Sequence, residues 1–222
     1  MFNMMNPGEK HIACAVLVDI SGSMASNNAI DELNQGLAAF KQALQEDAMA
    51  CGCADITLIS FGSEVTEVIP FCPAAGFEPP CLTAGGLTAM NEAIITSLDA
   101  IDMRKSEYKD IGVPYWRPWI FLLTDGIPTD DELHDAAMVR LCDALDRKKV
   151  NFFPMGIGPH ADIRYLKQYT KDGAGAVLKA SKDNFKEAFV WLSSSMSVIS
   201  NSNPSTDTLE LPPLPDSIVI EL

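Results

Sequence analysis

Two periodicities alternate along this chain. Residues 11–18 form an apolar run of Val, Ile, Leu, Ala and Cys without polar interruption, which suits a strand buried on both faces of a parallel sheet. The segment from Trp119 to Leu123 repeats that pattern, and residues 54–61, 151–158 and 176–178 add further strands. Between them the spacing turns helical. Ile30, Leu33, Leu37, Phe40 and Leu44 share one face after a cap at Asn28, and that helix ends near Glu46. Met90, Ile94, Leu98 and Ile101 mark a second helix, with Glu92, Asp99 and Asp102 on its solvated side. Leu133, Ala137, Leu141 and Leu145 mark a third, closed by Lys148 and Lys149 against the negative end of its dipole. A short helix around Ile163 and Leu166 stops near Gly173, and Phe185, Phe189, Leu192 and Met196 set the last one. Residues 64–69 form a strand joined to the preceding one only by Gly62-Ser63, a connection so short that the pair must be antiparallel.

The apolar strands end in polar residues. The first run stops abruptly at Asp19, followed by Ser21 and Ser23 with Gly22 between them to turn both hydroxyls one way. In open α/β sheets ligands bind outside the carboxyl ends of the strands, so these oxygens face a crevice. Carboxylate and hydroxyl oxygens are hard donors, suited to Mg2+ or Mn2+ rather than to Zn2+ or Cu. Thr124-Asp125-Gly126 ends another strand in the same way, and the glycine-hinged loop Gly85-Gly86-Leu87-Thr88 puts Thr88 at a helix start.

Asp-x-Ser-x-Ser, then a Thr, then Thr-Asp-Gly, each at a strand or loop end, resembles the von Willebrand factor type A (vWA) family and its metal-ion-dependent adhesion site. The resemblance implies a Rossmann-like α/β fold: a mostly parallel central sheet with one antiparallel edge strand and helices on both faces. It implies that Ser21, Ser23 and Thr88 reach a divalent cation directly or through water while Asp19 and Asp125 balance its charge. Mg2+ is the expected ion, with Mn2+ or Ca2+ as alternatives. Two carboxylates and neutral hydroxyls leave one position electrophilic, and a partner protein's Asp or Glu is its natural occupant. Arg117-Pro118-Trp119 leading into Leu122-Leu123-Thr124-Asp125-Gly126-Ile127-Pro128-Thr129-Asp130 is similar to the bacterial TerY-like branch, associated with tellurium resistance and chemical stress. That likeness implies work beside kinases and phosphatases of the same system.

Bulk properties narrow the setting. With 222 residues, 47% of them hydrophobic, the chain suits one domain over residues 11–200, between an N-terminal extension (1–10) and a C-terminal Pro-rich tail (201–222). A formal charge of -14 argues against nucleic acid and anionic membranes and favours basic partners. No run reaches membrane-spanning length, and the start lacks a basic region followed by an apolar one, so a cytoplasmic setting is expected. Of the six cysteines, Cys14 and Cys142 fall in apolar patterns, Cys51-Gly-Cys53 lacks a second Cys/His cluster, and Cys72 and Cys81 bracket a Pro-rich loop. That loop, residues 70–86, delivers Thr88, while residues 106–118 interrupt the helical pattern with aromatics. In the tail, residues 201–208 are polar linker and Leu209-Glu210-Leu211-Pro212-Pro213-Leu214-Pro215 is extended. Residues 217–222 are placed to add a strand to a sheet edge, of this domain or of another copy.

Rival chemistries lack parts. A Mg2+-dependent phosphoryl transfer on Asp19 is the strongest, but Ser21 stands where dehalogenase-type phosphatases carry a second Asp. Ser21-Gly22-Ser23 is not a Gly-x-Ser-x-Gly elbow, and His11, His134 and His160 are read as structural or surface residues. Gly156-x-Gly158 is followed by Pro159 and lacks the third glycine of a dinucleotide loop. Thr129-Asp130-Asp131-Glu132 matches a capping box, which assigns Asp130 and Asp131 to a helix start rather than to a metal.

Overall fold

The computed structural model describes residues 9–26, 28–158, 161–173, 176–180, 185–200 and 211–221. Most of the N-terminal extension, His160 and the linker 201–208 lie outside them. In chain order the elements are β1 (Ile12–Asp19), α1 (Ala29–Glu46), α2 (Ala48–Cys53), β2 (Ala54–Phe61), β3 (Val65–Pro73), α3 (Met90–Asp110), β4 (Trp119–Thr124), α4 (His134–Asp146), β5 (Asn151–Ile157), α5 (Ile163–Lys167), β6 (Val177–Ala180), α6 (Phe185–Ser200) and β7 (Ile218–Glu221). The strands form one sheet in the order β3-β2-β1-β4-β5-β6-β7. β2, β1, β4, β5 and β6 run parallel, and both outer pairs, β2 with β3 and β6 with β7, run antiparallel.

The expectation of a mostly parallel sheet with an antiparallel edge holds, and the chain adds a second such edge through its tail. Alternation along the central strands sorts their side chains onto two cores. Ile12, Cys14, Val16 and Val18 face α1 and α6, meeting Leu37, Phe40, Phe189 and Leu192. Ala15 and Leu17 face the other layer, with Ile94 and Ile101 of α3, Leu141 of α4 and Tyr169. Among the described residues no helix is long and apolar enough to cross a membrane.

Several boundaries differ from the sequence reading for physical reasons. β3 runs on to Pro73, beyond Ile69, with register shifts opposite Ile56, Leu58 and Ile59 that accommodate its prolines at the sheet edge. α3 continues to Asp110 through the stretch read as an interruption, because Arg104 and Tyr108 are buried on its inner face beside Asp55. α2 was not anticipated. Its six residues carry Cys51 and Cys53, and Asp47 caps it by accepting from Met49 N and Ala50 N. Asn28 stands at the start of α1 in the left-handed region, φ 58°, and its side chain makes no capping bond.

Candidate functional site

β1 and β4 are neighbours in the middle of the sheet, paired as far as Val18 with Leu123, so Asp19 and Thr124 leave it side by side at the carboxyl ends. Thr124 Oγ1 donates to Asp19 Oδ2 at 2.5 Å and Ser21 N donates to Asp19 Oδ1 at 2.8 Å. Both oxygens of Asp19 are thus engaged. Burial pushes this carboxyl above the usual range, the bonds from Ser21 and Thr124 pull it partly back, and the nearby Asp125 adds to the rise. A positive charge here would relieve that cost.

After Ser21 the chain makes a single tight turn, Gly22–Ala25, pinned by the buried Met24. It brings Ser23 Oγ to 3.0 Å from Ser21 Oγ, and Ser23 Oγ donates to Asp125 Oδ1 at 2.6 Å. Thr88 arrives from a third segment, which is tied down at nearly every residue. Gly85 N donates to Ile20 O, Gly22 N to Gly86 O, Leu87 N to Ser63 Oγ and Ala89 N to Gly62 O. Gly86 sits at φ +83° with Ser63 against it, which only glycine permits without strain. Thr88 N donates to Thr129 Oγ1 at 3.0 Å and Thr129 N returns a bond to Thr88 O at 2.9 Å. A methyl placed on Gly126 would lie 4.0 Å from both Ser23 Oγ and Thr88 Oγ1. The hydroxyls of two distant segments therefore border one small space over the Asp125-Gly126 turn.

All five sequence-predicted residues thus stand at one end of the sheet. Asp19, Ser21, Thr88 and Asp125 are buried, and Ser23 is exposed at the mouth. Among the described residues no group of three or more His, Cys, Asp or Glu is set to hold a metal; this cluster offers two carboxylates and three hydroxyls, from Asp19, Asp125, Ser21, Ser23 and Thr88. That composition suits a hard divalent cation and no soft one.

Sequence reasoning missed the supporting residues. Thr124 was visible only as part of Thr-Asp-Gly. The capping box at Thr129 to Glu132 is corrected: α4 begins at His134 after a turn, and Asp130 instead caps α3, accepting from Glu92 N at 2.8 Å and Asn91 N at 3.3 Å. Asn91 Oδ1 in turn accepts from Tyr169 OH at 2.6 Å, and the same hydroxyl meets His134 Nδ1 at 3.1 Å. His134 is therefore tied into this lattice, and His11 binds Asp55 Oδ2 at the opposite end of the sheet. No disulfide joins the described cysteines.

No family model matches the sequence, and no curated protein matches it. Solved structures do match in fold. VWA2, the ArnB paralog of Sulfolobus acidocaldarius, aligns with 82% of this chain at 19% identity and TM-score 0.56. The pilus adhesin SpaC of Lactobacillus rhamnosus GG aligns with 86% at 15% identity and TM-score 0.66, and manganese-loaded TRAP of Plasmodium vivax with 82% at 18% and 0.54. This chain spans 44% of the VWA2 chain, 30% of SpaC and 74% of TRAP. At these identities the likeness is one of fold, and the chain has the Rossmann-like architecture of the vWA domain.

Proposed function

We propose that this chain is a metal-ion-dependent protein-interaction module whose site takes a carboxylate from a partner. The observation that carries the reading is the meeting of Asp19, Ser21, Ser23, Thr88 and Asp125, from three separate segments, at the carboxyl ends of β1 and β4. Ser21, Ser23 and Thr88 would hold Mg2+, with Mn2+ or Ca2+ as alternatives, and Asp19 and Asp125 would neutralise it. When bound, the cation supplies one electrophilic position that an incoming Asp or Glu oxygen fills. Asp19, with both oxygens already accepting, contributes charge and orientation. Ser23 forms the accessible side of the site, with the buried Asp125 behind it.

A manganese-loaded neighbour and a pilus adhesin of the same fold support both halves of this reading. The Arg117-Pro118-Trp119 segment favours a TerY-like stress-response setting in the cytoplasm, with a kinase or phosphatase of the same system among the partners. Against the phosphoryl-transfer alternative stands the chemistry of Asp19. It is buried, both its oxygens accept hydrogen bonds, and residue 21 is Ser rather than an acid.

Calorimetric titration with MgCl2 tests the site. Saturable binding is expected for the native chain and its loss in Asp125→Ala and Asp19→Ala, with circular dichroism unchanged. Undiminished affinity in both variants would overturn the assignment. With an aryl phosphate and Mg2+ no turnover is expected; turnover that disappears in Asp19→Asn would instead establish the enzyme.

A further inference from the structure

Along the open edge of the sheet lies a groove of about 720 Å3 between β3 and the C-terminal part of α3. Phe71, Cys72 and the neighbouring prolines Pro70 and Pro73 make its strand side, and Met103 and Ile111 stand on its helix side. Met103 is 69% exposed and Ile111 52%, two large apolar side chains on one groove. Arg104 forms part of the floor beside Phe71, but its charge is spent internally: it pairs with Asp55 Oδ1 at 2.9 Å and Glu107 Oε2 at 2.8 Å.

The rim is acidic. Glu67, Asp99, Glu107 and Asp110 line it, and with Asp55 beneath they stand against two guanidinium groups, Arg104 and the Arg140 that pairs with Asp99. Lys105 and Lys109 of the same helix do not line the groove. An apolar trough with surplus carboxylates selects an apolar side chain carried between cations. Pro70 and Pro73 take two donors from the β3 edge, which discourages strand addition and leaves side-chain insertion as the mode of recognition.

We propose that this groove is a second docking surface, for a protein segment with an apolar anchor flanked by lysine or arginine. It goes beyond the metal reading and is separate from it in space. Met103 lies thirteen residues along α3 from Met90, about 20 Å at 1.5 Å per residue, and Thr88 precedes that start. The two surfaces have opposite preferences, an acid at the carboxyl end of the sheet and a base along its edge.

The probe is a fluorescein-labelled amphipathic peptide of leucine and lysine with leucines at i, i+3, i+4 and i+7, added to the full chain. Binding is expected to shift the Met103 and Ile111 methyl resonances, to weaken by about tenfold in Met103→Lys, and to persist in chelator. Val219→Lys, an equal charge change on the exposed face of β7, controls for bulk attraction. Equal weakening by both variants, or methyl shifts confined to other surfaces, would overturn the proposal. Retention in chelator separates it from the metal site, whose failure in calorimetry would leave this result standing.

Discussion

Asp55, wholly buried at the start of β2, accepts from His11 Nδ1 at 2.9 Å and Tyr108 OH at 2.5 Å and faces Arg104 at 2.9 Å. Burial alone would raise its carboxyl, but the His11 bond, the Arg104 charge and the Tyr108 bond outweigh it and hold Asp55 below the usual carboxylate range. A lowered folded-state value means stability that is complete above the unfolded value, about 3.9, and is lost as pH falls through the folded one. Asp55→Asn is therefore expected to cost about 3 kcal/mol at neutral pH, since it removes the buried counter-charge of Arg104 and leaves that guanidinium only the half-exposed Glu107. Denaturant midpoints measured from pH 6 downward should converge for variant and native chain only below about pH 4. A constant gap across that range would refute the assignment. None of this was legible from the sequence, because the partners lie 44 to 53 positions from Asp55. The five candidate-site residues could be picked out because each lies at the end of a recognisable apolar strand or in a glycine-hinged loop.

The helices show how far local pattern reaches. α1 and α6 were placed by spacing alone, yet their contact turns on Gly36, where a methyl would meet the Phe189 ring at 2.7 Å and Phe185 Cβ at 3.1 Å. Phe189 has little room to yield, being packed against Phe40 and Phe121. In an exposed helix Gly→Ala would stabilise by about 1 kcal/mol. Here overpacking should dominate, and Gly36→Ala is expected to destabilise the chain by about 1–2 kcal/mol net, read as a lower urea midpoint. A raised midpoint would show that the two helices can separate freely. Asp130 illustrates the converse. Its sequence context fits a cap of its own helix, but the N–H groups it satisfies belong to α3, brought within reach by the pairing of Thr88 and Thr129.

At the scale of the molecule the tail covers β6 and becomes one of the two edge strands of the sheet. β7 pairs with β6 from Val177–Glu221 to Ala180–Ile218, Ile218 is buried, and Trp191 Nε1 donates to Pro212 O at 3.0 Å over α6. Truncation after Ser200 exposes the β6 edge and removes Ile218, Leu211 and Leu214 from their contact with the core. The truncated chain should melt several degrees lower and associate at high concentration, as checked by thermal denaturation and light scattering; identical melting and a monomeric profile would refute that role.

What the sequence determined by itself were the quantities set by near neighbours: the central strands and the longer helices, the hairpin at Gly62-Ser63, and the oxygen-bearing strand ends. Period and turn chemistry act over a few residues, so they can be read without the fold. The tertiary structure alone decided that the tail strand pairs antiparallel with β6 of its own domain, the extension of α3 past Ser106, the partners of Asp55 and Asp130, and the groove beside β3. Each of these depends on groups tens of positions apart being packed together, and burial then changes which hydrogen bonds and charges a residue must satisfy.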